Sequence, residues 1–154
     1  MPKPQLKNIE EHLQFLAGER NPFTEPDHLE KTRLYITKQF ESFNLPVNQE
    51  AVDFENSRSF NIIGKPTGTQ STPFVLAAHY DTKPGTAGAD DNASAVAALL
   101  EIARCLADHT FHTPLIFTAF TLEEYGFISS RHFIKNAVTI NETQRHGFAR
   151  DVRI

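Results

Sequence analysis

Two short apolar runs, each ending abruptly in histidine or carboxylate residues, constrain this chain more than anything else in it. Pro73 to Ala78 is apolar throughout and stops at His79-Tyr80-Asp81, while Leu115 to Thr121 is β-rich and stops at Glu123-Glu124. Runs of this length and character read as strands buried on both faces, the habit of a parallel sheet. Such strands deliver polar groups to a site at their carboxyl ends. Between them a Gly/Pro/Thr-rich loop reaches the pair Asp90-Asp91. A helical pattern over 92–107 follows, with Ala95, Leu99, Ile102 and Leu106 on one face and Val96, Leu100 and Ala103 beside them. That stripe is wide enough to lie on a sheet. With a further helix expected from about Ile128 to Asn136, the order is βαβα, with parallel strands and a right-handed crossover. Three remote clusters then meet at one edge of the sheet: His79 and Asp81, Asp91, and Glu123 with Glu124.

The flanking sequence supplies packing elements. Leu6, Ile9, Leu13 and Leu16 recur at helical steps and predict an amphipathic helix ended near Gly18. A second helix is expected from His28 to Phe43, closed before Pro46. Val47 to Phe54 and Phe60 to Gly64 read as an antiparallel hairpin, and 65–73 as a polar turn region. The predicted fold class is α/β: a mixed sheet with parallel central strands, flanked by helices. At 154 residues, 40% of them hydrophobic, one domain with a real core is expected. Beyond Val138 the pattern dissolves, so 138–154 reads as an atypical tail.

Composition narrows the function. A net charge of −4 without any Lys/Arg cluster argues against nucleic-acid partners and acidic membrane surfaces. No run of roughly 18 apolar residues predicts a membrane span, and Met1 to Gln5 opens no signal peptide, so the cytoplasm is the default expectation. Cys105 falls on the apolar side of its helix and reads as a buried small hydrophobe.

Taken singly, each cluster has an ordinary reading. His79 can be a satisfied polar residue at a strand end, Asp91 a helix N-cap, and Glu123-Glu124 a solvated turn. Together they are costly, because carboxylates gathered at one edge in low dielectric repel one another by several kcal/mol unless a cation neutralises them. Imidazole with carboxylates is a ligand set suited to zinc and similar divalent ions.

Three ordered stretches carry a resemblance: His79-Tyr80-Asp81, Gly88-Ala89-Asp90-Asp91-Asn92-Ala93-Ser94, and Thr121-Leu122-Glu123-Glu124-Tyr125-Gly126-Phe127-Ile128-Ser129-Ser130. Over about residues 6 to 137 the chain resembles the M28 family of co-catalytic zinc peptidases. The resemblance implies a phosphorylase/hydrolase-like α/β fold, two zinc ions, a peptide substrate and removal of N-terminal residues. It implies that His79 binds one zinc, Asp91 bridges both and Glu124 binds the other. Glu123 would be the general base and Asp81 would orient His79 through its ring N–H. A glutaminyl-cyclase-like acyltransferase on the same scaffold, or a non-catalytic fragment or binding module, are the alternatives. The family's pattern also calls for a later acidic ligand, for which Asp151 stands at a suitable spacing, and a later histidine. Neither has a clear place here, so the chain is expected to be the N-terminal, incomplete portion of such a domain. Its strand ending at Thr121 is expected to be an unpaired edge, open to self-association. His109, His112, His132 and His146 match no motif and read as surface or packing residues, and Lys83, Ser94, Tyr125 and Arg131 receive no role.

Overall fold

The computed structural model describes residues 1–65 and 73–143. Helix α1 (Leu6–Leu16) and helix α2 (Pro26–Ser42) come first, then strands β1 (Val47–Phe54), β2 (Ser57–Gly64) and β3 (Phe74–His79). Helix α3 (Ser94–Leu106), strand β4 (Leu115–Phe120) and helix α4 (Ile128–Thr143) follow. α2 starts two residues earlier than expected because Pro26 takes the first helical turn, where its missing N–H costs nothing. β1 and β2 form the expected antiparallel hairpin about the turn Glu55-Asn56, with Phe54 opposite Ser57.

The four strands lie in the order β1-β2-β4-β3, antiparallel except for the parallel pair β3 and β4. The mixed sheet flanked by helices is the predicted fold class. Its order corrects one expectation, for β4 is an interior strand paired on both sides, and the outer strand on this side is β3. The shorter β2 antiparallel pairing, Ile62 to Gly64 against Phe117 to Ala119, places the hairpin there and covers β4.

Strand alternation explains the layers. Phe117, Ala119, Ile62 and Ala78 point to the face where Leu16, Ile36, Phe40, Val96, Leu100 and Ala103 of α1, α2 and α3 close the core. At roughly 25 cal/mol per Å² of apolar surface, each fully buried Leu, Ile, Val or Phe among them contributes about 2 kcal/mol. Phe120 points to the opposite face, where its ring lies 5.5 Å from that of Phe133 on α4. Glu50 and Asn61, paired across β1 and β2, face the same way: Asn136 of α4 donates to Glu50, and Asn61 donates to the Ser129 carbonyl. α4 extends to Thr143, past the expected end at Asn136. Cys105 is buried and free, as its helical position predicted. Among the described residues no helix is long and apolar enough to cross a membrane.

Candidate metal centre

The register of β3 on β4 sets the site. Leu76 pairs with Phe117 and His79 with Phe120, so both strands end at one level and the Tyr80 N–H still reaches the Phe120 carbonyl at 2.9 Å. Past that level β4 leaves through Leu122, a fully buried residue in the left-handed region at φ 54. A single 3-10 turn, Glu123–Tyr125, follows, closed by Gly126 at φ 97. Left-handed backbone at a non-glycine residue is uncommon and clusters where a chain must aim particular side chains. Here the buried Leu122 side chain anchors the turn and Glu124 is turned back over the end of β3.

The third group arrives on the loop from β3. Asp91 sits in a kinked turn, Ala89–Ala93, at φ −112 and ψ 91, with a cis peptide to Asn92. It does not cap α3, which begins at Ser94 without a side-chain cap bond. The N-cap reading of Asp91 is therefore set aside. Its carboxylate oxygen stands 3.1 Å from His79 Nε2.

His79, Asp91 and Glu124 each offer one ligand atom, and these atoms lie within 4.8 Å of one another. One imidazole nitrogen and two carboxylate oxygens at this spacing suit a divalent cation such as zinc, so the residues present fit the group. His79 is half-buried. Burial pulls its pKa down, but the hydrogen bond and charge of Asp81, and then the charges of Asp91 and Glu124, outweigh burial and leave it raised. Carboxylates around the ring favour its protonated form, and a divalent cation would compete with that proton for the nitrogen.

Asp81 is completely buried and makes two connections. Its carbonyl and one carboxylate oxygen lie 3.2 and 3.4 Å from His79 Nδ1, which leaves Nε2 facing Asp91. Its other carboxylate oxygen accepts the Glu124 N–H at 3.1 Å. One buried side chain thus ties the end of β3 to the turn after β4. The sequence suggested the first link by its two-residue spacing, and the second has no sequence signal.

Glu123 is not among the three converging side chains. Its Oε1 accepts from Ser129 Oγ at 3.1 Å and from the Ser130 N–H at 2.8 Å, and Oε2 accepts from Ser130 Oγ at 2.8 Å. It sits at the start of α4, where a carboxylate is favoured by the unsatisfied N–H groups and the helix dipole. Lys83, given no role from sequence, holds its ammonium 3.5 Å from Glu124. Tyr125 exchanges hydrogen bonds with Asn21, whose amide also donates to the Thr82 carbonyl at 2.7 Å. Asp151 and His146 lie outside the described residues.

Residues 61–148, more than half of the chain and spanning every group of the site, match Peptidase family M28. The chain belongs to this family. Aminopeptidase YwaD of Bacillus subtilis is 39% identical to this M28 chain over 84 residues, which are 53% of the chain and 18% of the relative. Among solved structures, a glutaminyl cyclase from Bacteroides thetaiotaomicron superposes with a TM-score of 0.69 at 25% identity, covering 82% of this chain and 50% of that one. A leucine aminopeptidase precursor from the same organism shares the fold, with a TM-score of 0.67 at 24% identity over 79% of this chain and 48% of that one. The M28 chain thus spans about half the length of the solved structures it matches and less of the aminopeptidase.

Proposed function

We propose that this M28 chain belongs to a zinc-dependent aminopeptidase, with His79, Asp91 and Glu124 as metal ligands, Asp81 as the residue that orients His79, and Glu123 as the general base. The observation that carries the reading is the convergence of the three ligand atoms within 4.8 Å at the ends of two parallel strands. Asp91, whose carboxylate offers two oxygens, would be the ligand shared where two ions are held. Bound zinc supplies polarisation of the scissile carbonyl and acidification of a water.

The chain's own residues do the rest. Asp81 beside His79 Nδ1 fixes the tautomer that presents Nε2, and its bond to the Glu124 N–H keeps that ligand facing His79. Glu123 Oε1 already accepts two hydrogen bonds among the described residues, whereas Oε2 accepts one. A carboxylate oxygen has two lone-pair sites, so Oε2 is the atom with room for a proton. It takes that proton from the attacking water and returns it to the leaving amine. The substrate is a peptide bearing a free N-terminus.

Glutaminyl-cyclase-like acyl transfer is the second reading, favoured by the glutaminyl cyclase among the structural relatives. A glutaminyl peptide separates the two: release of the free amino acid means hydrolysis, and release of ammonia with an intact, cyclised peptide means acyl transfer. Self-association through the outer edge of β3 belongs to the same proposal.

The experiment is Glu123→Gln in the protein, measured for zinc content and for release of N-terminal residues. The amide keeps the shape but cannot take the proton, so zinc is retained and turnover falls by at least about 100-fold. An active Gln variant overturns the assignment of the base.

A further inference from the structure

We propose that Arg20 is a positioning residue for the metal centre: it clamps both ends of the loop joining His79 to Asp91 and so sets the distance between these two ligands. The proposal rests on the metal reading above and adds to it a residue far from the three motifs. Arg20 is completely buried. A buried guanidinium is costly unless its donors are satisfied, and those of Arg20 go to main-chain carbonyls. Nε donates to Tyr80 at 2.8 Å, Nη2 to Gly88 at 2.9 Å, and Nη1 to Gly18 at 2.5 Å and to Leu16. Tyr80 directly follows His79, and Gly88 stands just ahead of Asp90-Asp91. Leu16 ends α1, and its carbonyl is one of those a helix leaves unpaired. One planar fork therefore joins the first helix to both ends of the site loop.

The surroundings leave that fork little freedom. The Arg20 N–H donates to Thr82 Oγ1 at 2.9 Å, the Thr82 N–H returns to the Arg20 carbonyl at 2.9 Å, and the Gly18 N–H reaches Ala87 at 2.8 Å. Gly88 sits at φ 54, and a Cβ there would collide with the Thr82 methyl and lie 2.7 Å from Arg20 Nη2. The loop is pressed onto the guanidinium with no room for a side chain. Burial lowers the Arg20 pKa to about 10 and the Asp81 charge works against that, so the group stays charged at neutral pH. Its positive charge acts on Asp81, the carboxylate beside His79 Nδ1.

Arg20→Lys separates positioning from mere folding. A single ammonium keeps the charge but cannot serve the carbonyls of Tyr80, Leu16 and Gly88 together. The comparison is Phe40→Leu, a core change on α2 that lowers stability without touching the loop. Zinc affinity is measured by competition with a chromophoric chelator on folded protein, ligand geometry by the absorption bands of bound cobalt(II), and loop order by hydrogen exchange of the metal-free chain. For Arg20→Lys, zinc affinity drops about 10–100-fold, the range typical of lost ligand-orienting contacts, and the cobalt bands shift. Exchange speeds up over residues 80–93 and not in β1 and β2. Phe40→Leu binds zinc as the parent does. Parent-like zinc affinity and cobalt bands in Arg20→Lys, or an equal drop in Phe40→Leu, overturn the proposal. A parent that binds no zinc defeats the metal reading instead, and exchange then decides on Arg20: acceleration confined to 80–93 supports the clamp, while unchanged or uniform exchange refutes it. Should Arg20→Lys not fold, Thr82→Val removes one tie of the same clamp, and a smaller shift in each readout supports the proposal where parent-like values refute it.

Discussion

At the scale of single residues, the centre depends on what Asp81 does twice, beside His79 and at the Glu124 N–H. Asp81→Asn keeps the volume and the Asp81 main-chain carbonyl but removes the negative charge beside His79 Nδ1. Zinc affinity, by the same chelator competition, is expected to fall about 10–100-fold with the fold retained; an unchanged affinity contradicts the orienting role. His79, Asp91 and Glu124 were legible because each closes or opens an element in a recognisable motif. Arg20 and Asn21 were not, because each earns its importance from carbonyls about sixty residues away. Glu123 was legible as one carboxylate of an acidic pair, but its partners Ser129 and Ser130 come from the turn and α4 together.

At the scale of elements, α3 holds the crossover and its burial shows what a long apolar pattern can predict. Val96, Leu100 and Ala103 are fully buried, whereas Ile102, placed on the same face as Leu99, is exposed, so the buried stripe is centred on the neighbouring positions. Leu100→Ala should cost about 2–5 kcal/mol in urea unfolding, and a cost under 1 kcal/mol would mean the site collapses to fill the gap. The same helix carries a carboxylate that periodicity did not single out. Glu101, almost fully buried, accepts from Arg104, from Asn8 and from the Gln5 N–H at the start of α1. These bonds, Arg104 first, outweigh burial and hold its pKa down to about 2. Because the folded value lies below the unfolded one, this stability is complete above about pH 4.5 and drains away as pH falls toward 2. Between pH 7 and pH 3 the parent should lose about 2 kcal/mol that Glu101→Gln does not, and equal acid sensitivity in both would show that Glu101 is not the coupled group. The bounds of α4 were the least legible, since the residues after Val138 carry no clear stripe and only the backbone shows the helix continuing to Thr143.

At the scale of the whole molecule, hydrophobic runs identified the strands but not their order. A buried run says that a strand is covered, not by which neighbour, and so β4 was expected at an edge when the β1-β2 hairpin in fact covers it. Among the described residues β3 pairs with β4 alone, and Phe74 and Ala77 on it are exposed. Apolar outer strands recruit other chains, and a lysine there discourages it. Light scattering should therefore show concentration-dependent association of this chain that Ala77→Lys reduces; association unaffected by the lysine would place the contact elsewhere. The fold as a whole exists, on this account, to bring two strand ends and one loop to a common cation. A ligand that binds only the folded chain stabilises it by RT ln(1 + [L]/Kd), about 2.7 kcal/mol at a hundredfold excess over Kd. Thermal unfolding with and without zinc, on the parent and on His79→Ala, tests this most directly. The account predicts a zinc-dependent rise in Tm for the parent that is absent in His79→Ala, and a rise of equal size in both, or none in the parent, would contradict it.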